Sequence, residues 1–304
     1  EVMDAPPERR KGLEISIADL RESVAAIGLP DEGMRGSYAD KLKLQAVQDP
    51  EVLRALAAAL RGRSSDAEEA AAVVRSIAIN PDAAVIACKE GVAPALCSVL
   101  ARRREPSVLA WALSALARLA QHSQTHAQLL KAGAVEALAM HSLRPSGGRG
   151  AAQVELDLLA AFGLSFLCTQ NGTDVATRVP LRTVARFTVL LRRRLVASSP
   201  EEVVAARTFC GLPVDYRPRF VAQALAQLLE ASTAHVAMAW QTALPEILRG
   251  LLEGVLPNDT EANQPFGSPD VVEMAGRCRV AMLSRGGGVS QDASRVAALR
   301  GAPG

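Results

Sequence analysis

Apolar residues along this chain recur at the three- and four-residue spacing of helices rather than in the alternation of strands. Residues 68–78 read EEAAAVVRSIA, residues 110–119 read AWALSALARL, and residues 159–168 read LAAFGLSFLC. Most positions of these segments are apolar, and few segments of the chain alternate in the strict apolar–polar manner of a strand. Alanine and leucine, both strong helix formers, dominate the apolar positions, whereas aromatic residues make up only 3% of the chain. The pattern therefore predicts an all-α fold.

Two short segments of the chain repeat one another. Residues 89–96 read KEGVAPAL and residues 131–138 read KAGAVEAL, which places Gly91 and Gly133 42 residues apart. A period of about 40 residues is typical of a unit of two or three helices that stacks on its neighbours. Because such a unit cannot bury its apolar face alone, the repetition predicts a solenoid with an extended binding surface.

The longest helix of each unit sets the register of the repeat. Ala72, Trp111 and Phe162 take equivalent positions, with separations of 39 and 51 residues. The longer separation coincides with residues 145–150, PSGGRG, which we predict to be a flexible insertion in a surface loop. One repeat is therefore expanded without losing its helices.

Local capping signals predict where helices begin. Asp49-Pro50 and Asn80-Pro81 each combine a capping side chain with a proline at the first helical position, and Ser65 with Glu68 has the form of a capping box. Ser123 is predicted to start the short helix that precedes Gly133. Further helices are predicted over residues 16–27, 180–196, from 199, 218–230, 233–242, 245–254 and 268–284.

The matched glycine turns and the helical period resemble the armadillo repeat, of which this chain looks like a divergent member. The resemblance covers residues 48–170 and extends with less specificity to 255. It implies a right-handed α-solenoid, an armadillo-like superhelix of about four repeats with the last one divergent. The predicted domains are an N-terminal extension with one or two capping helices (1–47), the repeat domain (48–255), and a linker, one helix and a flexible tail (256–304).

In that family the third helices line a concave groove that holds an extended peptide. The importin-like repeat carries a tryptophan there and, four positions later, an asparagine that binds the peptide backbone. The tryptophan position holds Ala72, Trp111 and Phe162, and the asparagine position holds Ser76, Ala115 and Phe166. Alanine and phenylalanine side chains supply neither a hydrogen-bond donor nor an acceptor. The resemblance therefore implies a partly apolar docking groove rather than a receptor for nuclear-localisation signals.

The predicted protein-binding groove residues are accordingly Ser76, Trp111, Ala115, Phe162 and Phe166. The alternative for the aromatic members is that they pack between repeats and meet no partner, because buried aromatic side chains dominate core packing. We favour packing for Trp111 and Phe162 and leave both alternatives open for Phe166.

The overall charge argues against a dedicated nucleic-acid binder. Thirty-four basic and thirty-two acidic residues give a net charge of +2. The arginine runs at 102–104 and 192–194 fall near helix ends, where cations are stabilised by the helix dipole. The alternative is a basic stripe of Arg182, Arg186 and Arg193 that binds RNA phosphates or an acidic partner.

Cysteine and histidine spacing gives no metal or disulfide framework. The five cysteines show no C-x-x-C pair, which predicts reduced, buried thiols in an intracellular, reducing compartment, whether cytoplasm or organelle interior. His122 and His126 have the four-residue spacing of helical metal ligands, but Ser123 is predicted to break the helix, so both are expected to be loop histidines. His235 is expected to be buried or half-buried.

Signatures of catalysis are missing from the sequence. The glycine-rich segments 146–150 and 286–288 lack the Lys-Ser/Thr of a phosphate loop, and no G-x-S-x-G or H-E-x-x-H motif occurs. We therefore expect no enzyme, no cofactor and no small-molecule substrate. No apolar run reaches the 18 or so residues of a transmembrane helix, so no such segment is expected either.

The sequence thus predicts a non-catalytic scaffold, or structural subunit, that docks partner proteins on a helical-repeat surface within a larger assembly. Two alternatives stay open. One is a regulatory adaptor that binds short linear peptides in the concave groove. The other is an RNA-binding helical-repeat subunit of an organellar ribonucleoprotein.

Overall fold

The structure, a computed structural model, describes residues 47–141, 151–196, 208–209, 212–213, 218–254 and 269–285. In these ranges the regular secondary structure is helical, apart from a two-residue antiparallel pairing of β1 (Thr208–Phe209) with β2 (Leu212–Pro213). The prediction of an all-α fold is confirmed. Contacts divide the chain into two units, residues 1–137 and 138–304, which are described separately.

The first unit is a series of helices joined by short turns. They are α1 (Pro50–Arg61), α2 (Ser64–Ile77), α3 (Pro81–Lys89), α4 (Val92–Arg102), α5 (Pro106–Ala120), a 3₁₀ turn (Ser123–Thr125), α6 (His126–Lys131) and the beginning of α7 (Ala134–His141).

Two of the predicted helix starts are confirmed by their caps. The Asp49 side chain accepts a hydrogen bond from the Glu51 amide at 2.9 Å, and the Asn80 side chain accepts one from the Ala83 amide at 2.9 Å. Each cap precedes a proline at the first helical position, where the missing N–H has no intrahelical partner to lose. Local chemistry is sufficient to start α1 and α3.

The predicted capping box of Ser65 and Glu68 is wrong. Helix α2 begins at Ser64, two residues before the start that a Ser65 cap implies, and Arg63 at the N-cap makes no capping hydrogen bond with its side chain. The carboxylate of Glu68 instead accepts a hydrogen bond from the Ser107 hydroxyl at 2.8 Å. The Glu68 carboxylate therefore binds Ser107 of the next repeat instead of a backbone amide at the start of α2.

Gly91 and Gly133 make equivalent turns between consecutive helices. Their φ angles are 85° and 80°, in the left-handed region that side chains with a Cβ rarely adopt. Gly91 joins α3 to α4, and Gly133 joins α6 to α7. The repeated sequence therefore encodes a repeated backbone reversal, as predicted.

Equivalent helices of the first unit stack on one another. Helix α1 packs on α4, α2 packs on α5, and α3 packs on the 3₁₀ turn and α6. Three side-chain hydrogen bonds that join α2 to α5 and the loop before it have the same offset of 39 residues. They link Ser64 with Arg103, Glu68 with Ser107, and Arg75 with Ser114. This offset is the one that aligns Ala72 with Trp111, so the predicted register is confirmed.

Helix α5 is buried on nearly all sides. Of its fifteen residues, only Pro106 is exposed, and Ser107, Trp111 and Arg118 are half-buried. Alanines at 110, 112, 115, 117 and 120 let α2 and α4 approach closely, while Leu113 and Leu116 fill the space between them. The long third helix of the repeat is therefore the centre of this unit's core.

The second unit is organised around one helix. Its helices are α8 (Ala151–Arg178), α9 (Arg182–Val196), α10 (Pro218–Ala231), α11 (Thr233–Trp240), α12 (Leu244–Glu253) and α13 (Pro269–Arg285). Helix α10 packs against α8, α9, α11 and α13, and residues 224–229 of it are all buried. The predicted helix at 159–168 lies within α8, which is much longer than the sequence pattern indicates.

Helix α13 belongs to this packed body. It contacts α10, α11 and α12, although the predicted repeat domain ends at residue 255. The predicted domain boundary at residue 255 stays a prediction.

Three predicted features lie outside the described residues: the insertion at 145–150, the helix at 16–27 and the helix from 199. In the described ranges no single helix is long and apolar enough to cross a membrane, although α3 and α4, bent by 75°, pass that test as a pair.

Replacing Leu113 with aspartate is expected to destabilise the first unit strongly. Leu113 has no solvent exposure, so the variant buries an unpaired carboxylate, and we expect a loss of about 4 kcal/mol in the free energy of unfolding. Urea denaturation followed by circular dichroism measures it. Ala58→Asp, on the exposed side of α1, is the control and should cost less than about 1 kcal/mol. Equal denaturation midpoints would contradict this packing.

Candidate functional site

Half-buried side chains form a continuous stripe on α2 and a second stripe, interrupted at the buried Ala115, on α5 with the loop before it. Within each stripe most neighbours are four residues apart, so they share one helical face. We call this surface the α2–α5 face. Its members are Ser64, Glu68, Ala72 and Ser76 from the first stripe and Arg103, Ser107, Trp111 and Arg118 from the second.

One end of the α2–α5 face is tied together by charge-assisted hydrogen bonds. The Ser64 hydroxyl donates to Glu105 Oε1 at 2.7 Å, and Arg103 Nη1 donates to Ser64 Oγ at 3.2 Å. Arg103 Nη2 also donates to the Gly62 carbonyl, which ends α1. The loops that precede α2 and α5 are therefore joined through three side chains.

The arginine run 102–104 serves the ends of helices, as one of the two alternatives predicted. Arg102 Nε donates to the Ser98 carbonyl at 3.4 Å, and Arg104 Nη1 donates to the Ala101 and Arg103 carbonyls at 3.5 and 3.1 Å. The Ala101 carbonyl is one of the last four of α4, which have no intrahelical partner, so Arg104 supplies a hydrogen bond at the end of this helix.

The middle of the face contains a buried guanidinium. Arg75 is only 3% exposed, and its Nε donates to the Ser114 hydroxyl at 2.9 Å. The Ser107 and Ser114 bonds lie about one helical turn before and after Trp111 on α5. Sequence reasoning missed Arg75, because arginine is rarely buried. A signal was present, since Arg75 and Ser114 are the only polar pair at the 39-residue offset inside two apolar stretches.

The far end of the face is fastened by a histidine. His122 Nε2 lies 2.7 Å from the Ala78 carbonyl, and His126 Nε2 lies 2.8 Å from the Ala120 carbonyl. A carbonyl oxygen only accepts, so Nε2 carries the proton in both rings. His122 lies in a turn as predicted, whereas His126 begins α6 and is buried. Both histidines hold backbone together, and the described residues contain no cluster of three or more potential metal ligands.

The predicted groove residues are not all accessible. Ser76 and Trp111 are half-buried members of the α2–α5 face, but Ala115 has no solvent exposure because α5 is enclosed at that position. A partner therefore cannot reach the Ala115 side chain. In the second unit Phe162 and Phe166 are half-buried and pack edge to face, with ring centroids 5.1 Å apart. Partner contact by Ser76, Trp111, Phe162 and Phe166 stays a prediction.

The predicted basic stripe is interrupted. Arg186 Nη2 lies 2.5 Å from Asp157 Oδ2, and the Asp157 side chain is only 1% exposed. The guanidinium therefore compensates a buried carboxylate between α8 and α9. Arg182 is exposed, and the Arg193 side chain lies outside the described residues. The sequence could not reveal this pairing, because Asp157 and Arg186 lie on different helices.

The described thiols are protonated at neutral pH. Burial raises the pKa of Cys88, Cys97, Cys168 and Cys278 to about 12, and none of the four forms a disulfide. His235 is buried as predicted, and burial lowers its pKa despite a 3.1 Å contact of Nε2 with the Val179 carbonyl. Cys88, Cys168 and Cys278 are buried as predicted, whereas Cys97 is half-buried and Cys210 lies outside the described residues.

Comparison with known proteins identifies the fold. A designed armadillo repeat protein, YIII(Dq)4CqI, matches with a TM-score of 0.55 and 16% identity over 86% of this chain and 99% of its own. A second, YIII(Dq.V1)4CPAF in complex with the peptide (KR)4, matches with a TM-score of 0.52, 16% identity and the same coverage. An engineered protein from the Northeast Structural Genomics Consortium matches at 0.54 and 18% over 88% and 97%. No family model and no curated protein matches the sequence.

These matches show an armadillo-like repeat fold, which confirms the predicted resemblance and the predicted α-solenoid class. At this level of identity they show the fold alone. Helical repeats of this class commonly bind peptides or proteins on their extended surfaces.

Removal of the Arg186 guanidinium is expected to destabilise the second unit. Arg186→Met leaves the carboxylate of Asp157 buried without this partner, and we expect a loss of about 3 kcal/mol in the free energy of unfolding. Arg182→Met removes an exposed guanidinium from the same helix and should change stability by less than about 0.5 kcal/mol. Chemical denaturation of both variants compares them. A similar effect of the two substitutions would show that the Asp157 pair is unimportant.

The pKa of Glu105 is expected to depend on Ser64. The Ser64 hydrogen bond, with backbone amides, lowers the pKa of this exposed carboxyl from 4.5 to about 2. Its contribution to stability is therefore complete above pH 4.5 and is lost as the pH falls through 2. Ser64→Ala should raise the pKa toward its ordinary value, whereas Ser65→Ala should not. Carboxyl carbon NMR titration reads this out, and an unchanged Glu105 curve in Ser64→Ala would refute the assignment.

Proposed function

We propose that this protein is a non-catalytic scaffold whose α2–α5 face docks a segment of a partner protein. The observation that carries the proposal is the position of Trp111. Its indole is half-buried on a face whose neighbouring polar groups already form hydrogen bonds between repeats. Partly exposed aromatic side chains on a rigid surface are the typical anchors of protein interfaces.

The rigidity of the face supports permanent docking. Glu68, Arg75 and Arg103 are held by partners in the adjacent repeat. A partner therefore does not have to order these long side chains, and the entropy lost on binding is reduced. The side chains of the α2–α5 face are held in one arrangement before binding, which suits one bound geometry better than many.

The chemistry of the face supports docking of side chains rather than capture of a peptide backbone. Ser76 occupies the position at which the importin-like repeat carries asparagine, and Ala115, the next such position, is inaccessible. A hydroxyl donates one hydrogen bond, whereas an amide donates and accepts with separate atoms. The surface offers Ala72 and Trp111 for apolar contact, with Ser76 about one turn beyond Ala72 and Arg118 about two turns beyond Trp111.

The fold comparison supports a protein or peptide as the partner. One of the similar designed armadillo repeat proteins was solved with the peptide (KR)4. The two proteins are alike in fold alone, and in this protein we propose the α2–α5 face as the place where the partner binds.

We also propose that the protein works in a reducing, intracellular compartment, which the four described free cysteines support. The RNA-binding alternative gains no support, because Arg186 is paired with Asp157.

Site-specific photo-cross-linking tests the proposed face and identifies the partner. A benzoylphenylalanine at position 76 should cross-link a specific protein in cells of the source organism, whereas the same group at the exposed position 58 on α1 should not. A stoichiometric companion that survives purification supports the scaffold, and a substoichiometric one supports the peptide adaptor. Equal cross-linking from both positions would place the interface elsewhere.

A pair of matched substitutions measures the same contact without a cross-linker. Ala72→Arg projects a long cation from the α2–α5 face, and Ala58→Arg places the same side chain on the exposed side of α1. We expect Ala72→Arg to weaken partner binding about 100-fold and Ala58→Arg to change it less than about twofold. Isothermal titration with the identified partner provides the affinities, and circular dichroism checks that both variants fold. Undiminished binding by Ala72→Arg would refute the proposal.

A further inference from the structure

Two short segments of the first unit bring five arginines together. Residues 61–66 read RGRSSD and lead from α1 into α2, and residues 102–107 read RRREPS and lead from α4 into α5. We call these two segments the arginine edge. Their five arginines are accompanied by only two carboxylates, Asp66 and Glu105, whereas the chain as a whole has a net charge of only +2.

Hydrogen bonds hold the two segments of the arginine edge against each other. The Ser64 hydroxyl accepts a hydrogen bond from Arg103 Nη1 at 3.2 Å and donates one to Glu105 Oε1 at 2.7 Å. Arg103 Nη2 also donates to the Gly62 carbonyl. The arginines therefore lie on one surface, although they come from different repeats.

Most of the positive charge of the arginine edge is not neutralised by ion pairs. Four of its arginines are exposed, and within the described part of the chain none of the four pairs with a carboxylate: Arg61, Arg63, Arg102 and Arg104. The last two donate hydrogen bonds to backbone carbonyls, which carry no net charge. The four guanidinium groups therefore keep their full charge at the surface.

The two carboxylates of the arginine edge are already hydrogen-bonded within it. Asp66 Oδ1 accepts a hydrogen bond from the Ser65 hydroxyl at 3.1 Å. Glu105 accepts one from the Ser64 hydroxyl and a second from the backbone amide of Arg104 at 3.0 Å. Both carboxylates thus bind neutral groups of the segments, and the excess of positive charge attracts anions.

The arginine edge is continuous with the α2–α5 face, since Ser64 and Arg103 belong to both. On α2, Ala72 lies eight residues beyond Ser64, and on α5, Trp111 lies seven residues beyond Arg104. At the rise of an α-helix these separations are about 10 to 12 Å. An extended chain covers that distance with about three or four residues.

We propose that the partner segment docked on the α2–α5 face carries acidic residues three or four positions from its apolar anchor, and that the arginine edge binds them. This inference names the chemistry of the partner, and it rests on the proposed function. Guanidinium groups suit carboxylates because two parallel N–H groups reach the two oxygens. Complementary charge also speeds encounter and fixes the orientation of the docked segment.

The small extent of the arginine edge favours an acidic protein segment over a nucleic acid. A nucleic acid is a continuous polyanion, and proteins dedicated to binding it carry a clear excess of basic residues. Here the excess is confined to two six-residue segments of a nearly neutral chain. A short acidic cluster in a protein matches that extent.

Fluorescence anisotropy with labelled peptides tests the arginine edge before the partner is identified. The peptide (DE)4 should bind the full chain at about 20 mM salt and lose about tenfold in affinity at about 200 mM, because salt screens exposed charges. The oppositely charged peptide (KR)4, present in the structure of one similar designed protein, should not bind. Absence of (DE)4 binding at low salt would overturn the inference.

Two matched double variants locate the binding of (DE)4. Arg61→Gln with Arg63→Gln should weaken it about tenfold, because both guanidinium groups belong to the arginine edge. Arg182→Gln with Arg192→Gln removes the same charge from exposed positions of α9 and should change it less than about twofold. Circular dichroism checks that both variants fold. Equal weakening by the two pairs would overturn the assignment to the arginine edge.

An RNA probe tests the alternative class of partner. Octauridine carries a similar number of negative charges to (DE)4, so the two probes compare phosphates with carboxylates on the same surface. We expect (DE)4 to bind at least as tightly. Tighter binding of octauridine that is lost in Arg61→Gln with Arg63→Gln would assign the arginine edge to nucleic acid and overturn the inference.

A peptide with an apolar residue tests the link between the arginine edge and the α2–α5 face. Leu-Gly-Gly-Gly-Asp-Glu-Asp-Glu should bind about fivefold more tightly than the same peptide with serine in place of leucine. Ala72→Gln, which covers the apolar contact without a charge, should remove this gain. Absence of the gain in the unsubstituted protein would overturn the link and count against the proposed face, whereas failure of (DE)4 to bind would overturn the arginine edge alone.

Discussion

The structure of the first unit depends on the close packing of α5 between its neighbours. Alanine at five positions of α5 allows α2 and α4 to approach, and leucine fills the remaining space. Close packing of small side chains leaves little freedom in the relative rotation of two helices, because a one-residue change would replace alanines with leucines in the contact. That constraint sets the 39-residue offset between α2 and α5, which the hydrogen bonds of Glu68 with Ser107 and of Arg75 with Ser114 also have.

The hydrogen bonds of the α2–α5 face follow from the alignment of α2 with α5 that apolar packing sets. Arg75 meets Ser114 and Glu68 meets Ser107 because the offset places them opposite each other. These bonds then remove conformational freedom from a surface that would otherwise be covered by mobile side chains. The proposed docking of one partner in one orientation would benefit from this loss of side-chain freedom before binding. In the second unit, Arg186 was a candidate binding residue, but its guanidinium forms an ion pair with the buried carboxylate of Asp157 and so has a structural role.

Much of the fold was predictable, because the signals that encode it are local. Helix starts at Pro50 and Pro81 follow from a cap and a proline, and the turns at Gly91 and Gly133 follow from a backbone angle that glycine favours. The capping box at Ser65 and Glu68 failed for the opposite reason. Ser107, 39 residues away in the sequence, donates a hydrogen bond to Glu68, and a motif of neighbouring residues cannot predict a partner at that distance.

The sequence by itself determined the helical class, the repeat period and the alignment of Ala72 with Trp111, since each is written in spacing along the chain. Only the tertiary structure decided which aligned residues face solvent. It buried Ala115, left Trp111 half-exposed, and paired Arg186 with a buried carboxylate. Accessibility and ion pairing depend on what the neighbouring helices place within a few ångströms, and helical periodicity specifies a side chain's direction but not what it meets there.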